Sequence, residues 1–124
     1  MAKAKPYTKQ VKQLMAEKSR LLSKAEAFEQ MNLGETAQPL WATVAASEER
    51  LAPLLDLLGR ESEAALHRIS AASAYERCGQ PGRAANLYRA ALAGPLDDAA
   101  RKDVGKKLTA CLKQLQRDAT QSVA

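Results

Sequence analysis

From about Thr8 to Asn32 the apolar residues Val11, Leu14, Met15, Leu21, Leu22, Ala25 and Phe28 recur at steps dominated by three and four, which predicts one face of a long helix. Lys9, Lys12, Arg20 and Lys24 fall on the opposite side. Lys18 interrupts the apolar face, and its aliphatic stem predicts a side chain that snorkels beside the core. Asn32 and Gly34 stop this helix, and a second is expected from near Glu35, with Pro39 in its first turn, through Leu40, Trp41, Val44 and Ala45 toward Arg50. Pro53 lacks a backbone donor and clashes with the preceding turn. Leu51 to Leu58 is therefore expected as a short helix or a bent continuation, closed by Gly59.

A third helix is predicted from Glu61 to Cys78 and a fourth from Pro81 to Ala93, with Gly94 and Pro95 ending it. Asp97 or Asp98 can cap a final helix. Its apolar face is Val104, Leu108, Cys111, Leu112 and Leu115, and Lys102, Lys106, Lys113 and Arg117 stack opposite. Residues 8–117 then form a single helical domain, preceded by a disordered basic arm (1–7) and followed by a frayed tail (118–124).

Between Arg68 and Leu96, small and aromatic residues fall where two antiparallel helices mesh: Ala72, Tyr75, Gly79, Ala84, Tyr88 and Ala91, with Pro81, Gly82 and Pro95 as punctuation. This order resembles the tetratricopeptide repeat, with Arg68 and Ala71 standing where the family pattern has tryptophan and leucine. Counting back 47 residues, Ala25, Phe28, Asn32, Ala37, Trp41 and Val44 repeat the same offsets. The resemblance implies an all-α fold of antiparallel helical hairpins, stacked right-handedly as about five helices. It also implies a concave surface, formed by the first helix of each pair, that binds an extended peptide or a helix. Carried over residue by residue, that surface holds Leu66, Ile69, Ser73, Glu76 and Arg77, with Leu22, Glu26, Glu29 and Gln30 from the earlier unit. Family members that clamp a C-terminal carboxylate use lysine, arginine and asparagine there. This chain offers mainly acidic and apolar groups, which suit a basic or amphipathic partner.

Composition reinforces the helical reading: alanine, leucine, lysine, glutamate and arginine dominate a chain of 124 residues. The net charge of +5 is uneven, because residues 1–24 carry seven bases against one acid while residues 25–50 carry five acids against one base. Basic ends with an acidic middle suit an acidic partner or a second copy of the chain. The alternative partner is nucleic acid or an anionic surface, contacted by the arm and by Lys102, Lys106, Lys113 and Arg117. Two cysteines and no secretion segment point to the cytoplasm, and no apolar run predicts a membrane span.

Candidate chemistry is sparse. His67 is the only histidine, with Glu63 one turn back to tune it, and it reads as a partly exposed helix residue. Cys78 and Cys111 read as interface fillers and Trp41 and Tyr88 as core wedges, while Glu48, Glu49, Glu61 and Glu63 read as solvated carboxylates. No nucleotide-binding loop or metalloprotease motif is present, so neither cofactor nor catalysis is expected. The function expected from sequence is a protein-protein interaction module or scaffold.

Overall fold

In a computed structural model that describes residues 3–123, five α-helices follow one another without a strand among the described residues. They are α1 (Lys9–Gln30), α2 (Gly34–Leu57), α3 (Glu61–Arg77), α4 (Pro81–Leu92) and α5 (Asp98–Val123). Each packs mainly against its neighbour in the chain: α1 on α2, α2 on α3, α3 on α4 and α4 on α5.

Thr8 caps α1 by accepting the Val11 N–H at 3.2 Å. Helices α1, α2 and α3 end in one recurring turn, with Asn32, Gly59 and Gly79 at φ of 60°, 72° and 75°. In each, the next residue's N–H closes the loop onto a carbonyl five residues back: Leu33 to Phe28, Arg60 to Leu55 and Gln80 to Tyr75. A Cβ added at Gly79 would meet nothing within 4 Å, so a substitution there is opposed by the backbone alone. Gly79→Ala is accordingly expected to lower stability by about 1 kcal/mol. Asn32→Gly should leave urea unfolding within about 0.5 kcal/mol of the parent. Equal losses from both variants would show that left-handed geometry is not what these positions require.

The spacing of 47 residues reappears in the packing. Ala25 and Ala72 are both fully buried, as are Ala37 and Ala84, and the ring positions Trp41 and Tyr88 are both buried. Trp41 Nε1 donates to Glu29 at 2.8 Å, and Tyr88 Oη donates to Glu76, so the ring and its acceptor recur at the same offset.

The core has two parts. The larger joins Ala25, Trp41, Val44, Tyr75, Tyr88 and Val104, with Ile69, Leu108 and Leu115 packed on it. The smaller joins Val11, Leu14, Leu51, Ala52, Leu55 and Ala64. Of the two forms expected for Leu51 to Leu58, a separate short helix or a continuation of the second, this cluster explains the continuation: α2 runs on through Pro53 to Leu57. Proline in a helix interior costs about 3 kcal/mol. Leu51 and Leu55 are fully buried, and burial of such side chains contributes about 1.5–3 kcal/mol each. Pro53 itself faces solvent, where water can satisfy the carbonyl it orphans. Pro39 falls in the second turn, not the first, because α2 begins at Gly34.

Of the segment expected as a free arm, Met1 and Ala2 lie outside the described residues, and Lys5 and Tyr7 are tied to the α2–α3 turn and the start of α3. Lys5 N–H donates to Leu58 O and Arg60 Nε donates to Lys5 O, both at 2.8 Å. Tyr7 Oη donates to Glu63 at 2.9 Å, and the Arg60 guanidinium lies 4.5 Å over the Tyr7 ring. At the other end the tail expected to fray over 118–124 continues α5 as helix through Val123, and Ala124 lies outside the described residues. No described helix is long and apolar enough to cross a membrane.

Candidate interaction groove

Between the two apolar clusters lies a polar layer contributed by three helices. Glu48 of α2 is 3% exposed, the only buried charged residue among those described. Lys18 Nζ of α1 approaches its Oε1 at 3.1 Å, and His67 Nδ1 of α3 approaches its Oε2 at 2.5 Å. A carboxylate only accepts, so Nδ1 carries the proton in this bond. Three expectations change here. Glu48 is not solvated, Lys18 does not simply snorkel but pairs, and the carboxylate facing His67 is Glu48, not Glu63. Glu63 instead takes Tyr7 and Arg60. Of the other carboxylates, Glu49 is exposed and accepts from Tyr75 at 2.7 Å, while Glu61 is exposed.

Above this layer, α1 and α3 flank a groove of about 240 Å³. Lys18, Leu22 and Glu26 form one wall, Ser70, Ser73 and Arg77 the other, and Trp41 and Val44 of α2 the floor. The floor follows from α2's 3.6-residue period, which turns Trp41, Val44 and Glu48 to one side.

Four of the nine residues assigned to the surface from sequence thus meet in one place: Leu22, Glu26, Ser73 and Arg77. Glu29 sits at the end of the groove, bonded to Trp41 and paired with Arg77 at 3.0 Å, while Arg77 also covers the Trp41 ring at 4.7 Å. Ile69 packs on the larger core, Gln30 is exposed, and Leu66 is 57% exposed; none of the three lines the groove. Glu76 lines a second depression with Gly79, Pro81, Cys111, Gln114 and Arg117. There the Tyr88 phenol is pushed above its ordinary range, first by burial and then by its bond to Glu76. Burial and the same carboxylate raise the Cys111 thiol to about 11, so it stays protonated at neutral pH. Cys78 and Cys111 are both free.

Comparison of the chain with family models, curated proteins and solved structures returns no match. Among the described residues no group of three His, Cys, Asp or Glu side chains is placed to hold a metal ion. Lys102, Lys106, Lys113 and Arg117 are all exposed along α5, and Arg117 donates to Gln114 at 2.8 Å.

The polar layer left a trace in the sequence. Lys18 interrupts the stripe Leu14, Leu21, Leu22 and Ala25, and Glu48 interrupts Trp41, Val44, Ala45, Leu51 and Leu55. A charge inside an apolar stripe marks a position that needs a partner, though not which one.

Proposed function

We propose that this chain is a non-catalytic interaction module whose α1/α3 groove takes a peptide or helix of a partner protein. Its helices α1–α2 and α3–α4 act as tetratricopeptide-like hairpins in a right-handed stack, with α5 closing one end. The groove itself carries this reading. It joins an apolar floor to a polar rim on the first helices of successive hairpins. Its volume of about 240 Å³ is below the roughly 300–1,000 Å³ of small-molecule sites and suits one or two side chains of a larger partner. The recurrence of buried alanines and of ring-to-glutamate bonds at 47 residues supports the pairing of the hairpins.

The test is selection of peptides from a random displayed library, with binding followed by emission of the chain's single tryptophan in the groove floor. Ser73→Arg, which fills the groove, should weaken selected peptides at least about tenfold, the effect of losing one central contact. Arg117→Glu on α5 should leave them unchanged. Peptides that bind Ser73→Arg as well as the parent would overturn the assignment.

The alternative of anionic-polymer binding rests on the exposed bases of α5. It requires retention on DNA or RNA that falls steeply with added salt.

A further inference from the structure

Within that groove, and resting on the reading just given, we propose that the partner is anchored by a lysine or arginine side chain seated against Glu26. The charges lining the groove decide this. Lys18 is matched by Glu48 at 3.1 Å, and Arg77 by Glu29 at 3.0 Å. Glu48 also holds His67. Each cation of the groove therefore already faces a carboxylate of this chain.

Glu26 is different. It is exposed and lines the groove, and it has no hydrogen bond or ion pair among the described residues. The Ser70 and Ser73 hydroxyls stand on the opposite wall, also without partners among the described residues, and add acceptors for an N–H donor. Leu22, half-buried on the Glu26 side, offers apolar surface to an aliphatic stem. An apolar wall, one uncompensated carboxylate and two hydroxyls match a side chain with a hydrocarbon stem and a cationic head.

An incoming carboxylate fits poorly. It would meet the Glu26 charge, and recruiting Lys18 would strip the buried Glu48 of one of its two partners. Recruiting Arg77 would uncover the Trp41 ring. The occupant is thus a partner peptide with a basic anchor.

The experiment compares peptide selections on the parent and on Glu26→Lys. Glu26 is exposed, so the variant should fold, which far-UV circular dichroism checks. Peptides selected on the parent should share a Lys or Arg at one position. Those selected on Glu26→Lys should carry Asp or Glu there. Glu26→Gln should weaken a parent-selected peptide about tenfold, in the range for a charge-assisted hydrogen bond.

Peptides blocked by Ser73→Arg but lacking a basic position, and bound equally by Glu26→Gln, would overturn the anchor while leaving the groove as a binding site. Peptides indifferent to Ser73→Arg would overturn both. Sedimentation that shows a dimer dissolved by Glu26→Lys would make the occupant a second copy and overturn the peptide partner.

Discussion

Replacing Glu48 with alanine is expected to destabilise the chain by about 3 kcal/mol, the lower end of the range for breaking a buried ion pair. The lower end applies because the Lys18 and His67 side chains, at 17% and 18% exposure, keep some access to water once their partner is gone. The informative comparison is the triple variant Lys18→Met, Glu48→Leu, His67→Phe. It exchanges the whole layer for apolar volume, and such exchanges are commonly neutral or stabilising. Urea unfolding at neutral pH should show a large loss for Glu48→Ala and near-parental stability for the triple variant. A loss below about 1 kcal/mol for the single variant would mean that the layer adds nothing to the fold. If the triple variant is stable but its helices slip, visible as altered Trp41 emission, then the layer sets the register of α1, α2 and α3. An apolar seam alone would not.

Tyr88→Ala should cost about 3–5 kcal/mol, the range for deleting an aromatic ring from a core. Tyr88 is the largest of the fully buried side chains, at 0% exposure, and it joins α4 to the larger cluster and to Glu76 of α3. Tyr88→Phe keeps the ring and loses only the bond to Glu76, a residue that reaches water, so about 0.5–1.5 kcal/mol is expected. The pH dependence has a definite sign. The folded phenol ionises above the ordinary 10.0, so its contribution is complete below pH 10. It is lost as pH rises further and the unfolded chain releases that proton. Absorbance titration of Tyr88→Phe beside the parent should show one phenol fewer ionising during alkaline unfolding. Tyr88 ionising in the native chain near pH 10 would contradict the buried bond.

Much of this architecture is legible in the residues. The apolar period places all five helices, and Asn32, Gly59 and Gly79 mark three of their ends, because each position needs a left-handed backbone. The extent of α2 was not legible from Pro53, since local propensity is overridden when Leu51 and Leu55 find a core to enter. Pairing was hidden for another reason. Sequence tells that Glu48 and Lys18 sit in apolar stripes, but only the register of α1, α2 and α3 tells that Lys18, Glu48 and His67 meet at one level. The same holds for the groove. The positions of Leu22, Glu26, Ser73 and Arg77 on a common surface follow from the hairpin pattern. That Glu29 and Glu76 are already engaged by Trp41, Arg77 and Tyr88 does not.

The packing of each helix mainly on its chain neighbour also bears on how quickly the protein assembles. Contacts between adjacent hairpin arms need only short loops to close, so little chain entropy is lost before packing begins. Helical domains built on such local contacts fold in roughly microseconds to milliseconds. Among the exceptions are the pair between Glu29 and Arg77, which joins α1 to α3, and the tie between Lys5 and Leu58, which spans α1 and α2 and must wait for both. Docking of the N-terminal segment is thus expected late on the folding path and its release early on unfolding, which faster amide exchange at Lys5 than in α2 would check.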